Sequence, residues 1–192
     1  IMGLMESLVR KLFKDVLGRR PMPDDRSAPA LIRETGLMAD GPVPWGRPLR
    51  HNAPGVFVVE LPAPLAVAPL DLALVGKWLE RVPEMTLDGT RPASRDLLHR
   101  LAAFWLPSQP VLLIGSSAGS VAGRLSSMAK TVPGDRKPAW TGFWLHFLRN
   151  LPELRIWWAA TDAPEEYEDA LIDAFAAGVP DAEKAALPGE AM

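Results

Sequence analysis

Residues 111–125 read V-L-L-I-G-S-S-A-G-S-V-A-G-R-L, which predicts a short strand, a turn of small residues and a helix. Val121, Leu125 and Met128 are spaced to form the apolar stripe of that helix. Arg124 lies three residues after Val121 and four before Met128, so its side chain projects from this stripe or its border. Two interpretations remain open. The arginine covers the edge of the core with its stem, or its guanidinium binds a phosphate or carboxylate.

Glu168 has a similar position in the last predicted helix, residues 164–176. It precedes the apolar residues Leu171 and Ile172 by three and four positions, on the inner face of the helix. A carboxylate on an inner face needs an opposite charge, a hydrogen-bonding partner or a metal. An ion pair with Arg124 would satisfy this need structurally, and a hard cation such as Mg²⁺ would satisfy it functionally.

The composition is that of an ordinary globular protein and limits the classes of function. The chain has 192 residues, 48% of them hydrophobic and 23% charged, with a formal net charge of −2. This balance excludes bulk attraction to nucleic acid, so any DNA binding needs a local basic patch. No cysteine is present, which excludes disulfides and thiolate metal sites. Without cysteine, and without an apolar run near the roughly 20 residues of a membrane span, we expect a cytoplasmic protein with no membrane partner.

The pattern along the chain predicts one α+β domain, a small sheet with helices packed on it, at residues 55–180. Residues 1–54 are expected to form an N-terminal helix and a proline-rich arm, which is a candidate surface for a protein partner, and residues 181–192 a flexible tail. Strands are predicted at 55–61, 110–115 and 154–160. The second holds no polar residue, which predicts a central, buried strand. Helices are predicted at 29–37, 70–81, 94–105, 120–130, 140–150 and 164–176, with Ser94 and Asp162 as N-caps.

Several short motifs, in their order and spacing, resemble the GIY-YIG nuclease superfamily. Gly55-Val56-Phe57 and Leu113-Ile114-Gly115 stand where that family has its two name-giving motifs, and Arg124 follows Gly115 by nine residues. The segment R-L-S-S-M that begins at Arg124 resembles the family's helix with the catalytic arginine. The segment E-D-A-L-I that begins at Glu168 resembles the family's helix with the metal-binding glutamate.

The resemblance covers roughly residues 55–175 and carries expectations about fold and activity. It implies a three-stranded, mostly antiparallel sheet flanked by helices, with a helical insertion at residues 62–109 between the first two strands. It also implies a DNA endonuclease that hydrolyses phosphodiesters with Mg²⁺. Arg124 would stabilise the phosphate charge, and Glu168 would bind the metal.

Two positions depart from the family pattern. Phe57 replaces the first motif tyrosine and Leu113 the second. Neither side chain has a hydroxyl that can hydrogen-bond or exchange a proton. The alternative function is therefore a catalytically inactive module of the same fold that binds nucleic acid or protein. A third interpretation is a scaffold domain in which Arg124 and Glu168 form a structural salt bridge.

Two further segments are candidates for phosphate contacts. The residues S-S-A-G-S at 116–120 precede a helix and could cradle a phosphate through backbone N–H groups, or form a plain helix entry, since the P-loop lysine is missing. Lys130, Arg136 and Lys137 place positive charge in and near the following loop, beside Trp140. They are the candidate DNA-binding residues, because cations contact phosphates and tryptophan stacks on bases. A solvated loop is the alternative.

Overall fold

The computed structural model describes residues 26–132 and 141–187. The N-terminal helix predicted in the arm, together with Arg136, Lys137 and Trp140, lies outside the described residues. In chain order the regular elements are α1 Ala28–Glu34, β1 Asp40–Pro44, β2 Gly55–Glu60, α2 Leu72–Arg81, α3 Ser94–Ala102, β3 Val111–Ser117, α4 Val121–Lys130, 3-10 helices at Thr141–Phe147 and Leu151–Glu153, β4 Arg155–Ala160, α5 Pro164–Gly178 and α6 Asp181–Lys184.

The sheet has four strands in the order β1-β4-β2-β3, and every neighbouring pair is antiparallel. The predicted α+β class is confirmed. β2 is the central strand, with Phe57 opposite Gly115 of β3 on one side and Trp158 of β4 on the other. Residues 62–109, the expected insertion, connect β2 to β3, and these two strands are direct neighbours in the sheet.

The fourth strand, β1, is an addition to the three that the sequence predicts. Its residues, D-G-P-V-P, do not indicate a strand, because proline cannot donate a hydrogen bond to the ladder. β1 tolerates two prolines because it is an edge strand that pairs only with β4 in the described sheet. Gly41 has a φ of +126°, and a Cβ there would lie 2.8 Å from the carbonyl oxygen of Ile156, so glycine is required.

The prediction that the strand at 110–115 is central was wrong, since β3 forms an edge of the sheet. All six residues of β2 are buried, whereas only Val111 is buried in β3. The apolar sequence of β3 has another cause. The faces of the strand are covered by helices, and its outer side lines an apolar groove that contains Leu112, Leu113 and Ile114.

Each face of the sheet carries its own core, as the two-residue period of a strand requires. Phe57 and Val59 of β2 face one way and pack with side chains of α2, α3, α4 and the first 3-10 helix. Val56 and Val58 face the other way and pack with α1 and α5. The insertion helices thus supply part of the first core, through Val75, Trp78, Leu79 and Leu97.

Some helix boundaries differ from the prediction. Ala93 and Ala163 occupy the N-cap positions of α3 and α5, where Ser94 and Asp162 were predicted. The helix predicted at 140–150 is a 3-10 helix at Thr141–Phe147, with a kink at Gly142. The longest helix, α5, has 15 residues. Within residues 26–132 and 141–187, no helix is both long and apolar enough to cross a bilayer.

Glu60, at the end of β2, is a buried carboxylate with only 5% of its surface exposed. Its Oε2 accepts a hydrogen bond from the backbone N–H of Ala28 at 2.7 Å. Its Oε1 accepts one from Nε1 of Trp157, also at 2.7 Å. The carboxylate therefore caps the start of α1, where Ser27 makes no side-chain cap, and connects that helix to β4.

Candidate functional site

The two segments that resemble the family motifs lie on paired strands. In the register of β2 and β3, Phe57 is opposite Gly115, and Val59 is opposite Leu113. The pairing brings together segments that are more than 50 residues apart in the chain. The segments Gly55–Phe57 and Leu113–Gly115 therefore lie next to each other in the sheet.

The packing of Phe57 explains the presence of Gly115. The ring of Phe57 covers the glycine, and a Cβ at position 115 would lie 2.6 Å from its Cζ. Phe57 is 2% exposed and belongs to the core that also contains Val59 and Leu125. Phe57 therefore has a structural role at the position where the family carries a tyrosine.

Replacing Gly115 with alanine is expected to lower the free energy of unfolding by about 1–2 kcal/mol, because the new methyl group overlaps the ring of Phe57. The Phe57→Leu background removes the ring and should relieve most of this overlap. A double-mutant cycle measured by urea denaturation tests the pair. A coupling energy near zero would contradict the assigned contact.

Leu113 lies in apolar surroundings on the other motif strand. It is half-buried and packs against the core that contains Phe57. It also lines the groove beside Phe104 and Ile172. Neither Phe57 nor Leu113 can exchange a proton, so a general base in this site cannot come from the two motif positions.

Glu168 is joined to the residue that follows the second motif. Ser116 Oγ donates a hydrogen bond to Oε2 of Glu168, across 52 residues of sequence. Glu168 lies about one turn into α5, and Ser116 lies opposite Val56, on the face of the sheet that α5 covers. The sequence indicated Glu168 as a carboxylate that needs a partner and residues 116–120 as a possible phosphate cradle. It did not connect Ser116 with Glu168, because the two residues are brought together only by the packing of α5 on the sheet.

The two other serines of the turn form a helix entry. Ser117 Oγ accepts a hydrogen bond from the N–H of Ser120 at 3.1 Å. Ser120 Oγ in turn accepts one from the N–H of Gly123 at 3.0 Å and acts as the N-cap of α4. These hydroxyls satisfy local backbone donors, as the plain helix-entry interpretation requires.

Arg124 lies on α4, on the opposite side of the sheet from Glu168. The buried residues of α4, which are Val121, Leu125 and Met128, pack with Phe57. In contrast, α5 packs with Val56 and Val58. Ser116 is thus a hydrogen-bond partner of Glu168, and Glu168 and Arg124 lie on helices that pack on opposite faces of the sheet.

Both candidate residues nevertheless lie toward one end of the sheet. Gly55 begins β2 at this end, and it is paired with Ser117 at the end of β3 and with Ala160 at the end of β4. α4 begins just after β3 and α5 just after β4. Arg124 and Glu168 are in the first turns of these helices and flank the sheet end from two sides. We define this end, with Ser116, Arg124 and Glu168, as the candidate site.

The carboxylate of Glu168 fits a magnesium ion better than a metal that needs several protein ligands. The described part of the chain contains no group of three or more histidine, cysteine, aspartate or glutamate residues arranged to hold a metal. Mg²⁺ is commonly bound by one or two carboxylates, and phosphate oxygens and waters complete its shell. Oε2 of Glu168 accepts the hydrogen bond from Ser116 Oγ.

The histidines have no metal-ligand spacing in the sequence, and their contacts are of other kinds. The ring of His51 stacks on Trp158 with 4.4 Å between centroids. His146 is buried, with its Nε2 3.0 Å from the carbonyl oxygen of Met128. His99 is exposed on α3.

Of the candidate DNA-binding cations, Lys130 is exposed at the last residue of α4. It lies at the opposite end of the helix from the candidate site. Arg136 and Lys137 fall in residues 133–140, outside the described part of the chain. Comparison with protein-family models, with curated proteins and with solved structures gives no match for this chain.

Proposed function

We propose that this chain is a divergent GIY-YIG-like domain that binds DNA and hydrolyses phosphodiesters slowly with Mg²⁺ at the candidate site. The hydrogen bond between Ser116 and Glu168 carries the proposal. It joins Glu168 to the residue that follows Gly115, near the start of the helix of Arg124. Gly115, Arg124 and Glu168 come from separate parts of the sequence, and their position toward one end of the sheet supports the proposal.

Each side chain has a role that follows from its chemistry. Ser116 orients the carboxylate of Glu168, which would hold the metal against a phosphate oxygen. Arg124 would neutralise the phosphate charge from the other side of the sheet end. A bound magnesium ion supplies Lewis-acid polarisation of the phosphate and lowers the pKa of its water. Phe57 and Leu113 offer no proton acceptor, so the chain lacks a contribution that is typically worth 10²–10⁴ in rate.

Glu168→Ala is expected to lower magnesium-dependent nicking of supercoiled plasmid DNA by about 10–100-fold, since it removes the proposed metal ligand. Glu165→Ala is the matched control, because Glu165 is exposed one turn earlier on the same helix. The nicking rate is measured with and without Mg²⁺ at high enzyme concentration. If the wild type does not nick, the endonuclease proposal is wrong, and if Glu168→Ala retains full activity, the site assignment is wrong.

The second candidate is an inactive module of the same fold that binds nucleic acid. The burial of Phe57 among core side chains favours it. DNA binding without cleavage by the wild type would select this function. In that case, reversing the charges of Lys130, Arg136 and Lys137 should weaken binding to DNA of any sequence and reduce its dependence on salt concentration.

A further inference from the structure

A large apolar groove runs along the outer side of β3, separate from the proposed phosphodiester site. Its volume is about 550 Å³. Residues Val111 to Ile114 of β3 line it, together with Phe104 from the segment after α3 and with Ile172 and Phe175 of α5. Phe104 is 52% exposed and Ile172 is 45% exposed, although both are large apolar side chains. An apolar groove of this size on a protein surface is usually a binding site.

The strand beside the groove has none of the usual protections of an edge strand. Residues Val111–Ser117 contain no proline and no charged side chain. Unprotected apolar edges associate with other chains unless a helix or loop covers them. The other edge strand, β1, differs because it carries two prolines and an aspartate. We therefore expect another segment to cover the β3 edge, whereas the prolines and the aspartate of β1 disfavour pairing at the other edge.

We propose that the groove is the docking site of residues 4–17 of this same chain, L-M-E-S-L-V-R-K-L-F-K-D-V-L. Their apolar residues recur at helical spacing, at Leu4, Leu8, Leu12, Phe13, Val16 and Leu17. A helix of these 14 residues would be about 21 Å long. The seven residues of β3 span about 23 Å. The apolar face of the segment thus matches the length of the strand that it would cover.

The described chain starts close to the groove. Arg26 lines a depression together with Ser108 and Pro110, which directly precede the first groove residue of β3, Val111. The eight residues 18–25 connect Arg26 to the proposed segment. Fully extended, they span about 26 Å, which exceeds the length of β3. The connection is therefore long enough for the segment to reach any point along the groove.

The charges of the two surfaces are complementary. The helices α5 and α6 beside the groove carry exposed carboxylates at Asp169, Asp173 and Asp181. Residues 4–17 contain three basic and two acidic side chains. The basic residues of the segment would lie at the acidic rim when its apolar residues face the groove. A second copy of the folded domain would instead bring its own acidic rim against this one.

Disulfide trapping tests the docking cleanly, because the chain contains no cysteine. The full-length double variant Leu12→Cys/Ile172→Cys is compared with Leu12→Cys/Met38→Cys. Met38 is 87% exposed and precedes β1, at the opposite edge of the sheet. We expect an intramolecular disulfide to form at least ten times faster with Ile172→Cys. Adding Asp169→Lys and Asp173→Lys should slow this reaction several-fold.

Three outcomes would overturn the proposal. Equal rates for the two double variants would show that the segment does not select the groove. The absence of any disulfide would show the same. Disulfide-linked dimers in place of a cross-linked monomer would assign the groove to a second copy of the chain. The endonuclease proposal does not depend on any of these results.

Discussion

Replacing Glu60 with alanine is expected to lower the free energy of unfolding by about 3 kcal/mol. The carboxylate is 5% exposed and accepts hydrogen bonds from the N–H of Ala28 and from Nε1 of Trp157, each at 2.7 Å. A hydrogen bond to a charged group contributes about 1.5–3 kcal/mol, and its loss leaves a buried donor without a partner. The removed carboxylate also capped α1, so we expect this helix to separate from β4 first.

Urea denaturation followed by tryptophan fluorescence and by circular dichroism measures the effect. Glu60→Gln keeps the shape and one acceptor oxygen but turns an amide NH₂ toward one of the two donors, so it should cost less than alanine. Glu80→Ala is the surface control, because Glu80 is exposed on α2. If Glu60→Ala unfolds at the same urea concentration as Glu80→Ala, the carboxylate does not stabilise the fold as described.

Replacing Gly55 with alanine is expected to lower the free energy of unfolding by about 3 kcal/mol. A Cβ at this position would overlap the carbonyl oxygen of Ala159 and lie 3.1 Å from its carbonyl carbon and 3.2 Å from Cα of Ala160. The obstacle is backbone of a paired strand, which cannot move aside as a side chain can. Relief would require β2 and β4 to separate at the sheet end that carries the candidate site.

Gly119→Ala is the matched control for Gly55→Ala. A Cβ at Gly119 would meet no atom within 4 Å, and its φ is not in the left-handed region. This substitution should be neutral or should stabilise by about 0.4–1 kcal/mol, because it restricts the unfolded chain. Equal stabilities of the two alanine variants would contradict the close approach of the strands at Gly55.

The two motif glycines have structural roles in the sheet. Gly55 is required by the backbone of β4, and Gly115 by the ring of Phe57. Packing thus explains the presence of glycine at both positions, whether or not the domain cleaves DNA. The resemblance in the sequence predicts the fold through these contacts more directly than it predicts the activity. The proposed activity is argued instead from Arg124, Glu168 and the hydrogen bond from Ser116.

The sequence predicts most regular elements because local physics determines them. The apolar spacing of α4 and α5 and the β-branched residues of β2 are readable within about ten residues. The sequence did not predict β1, because a strand with two prolines is tolerated only at the edge of a sheet. The local sequence does not show that this segment pairs with β4 at such an edge. The position of β3 was misjudged for a similar reason, since an apolar strand is read as central when its neighbours are unknown.

By itself, the sequence determined the α+β class, three of the four described strands and most of the helices, because periodicity and propensity act over short distances. Only the tertiary structure decided the hydrogen-bond partners of the two carboxylates. Glu168 accepts a hydrogen bond from Ser116, and the buried Glu60 joins α1 to β4. Desolvation makes a buried carboxylate require hydrogen-bond donors, but any donor of suitable geometry satisfies it. Which donor is near depends on how strands 50 to 100 residues apart are paired.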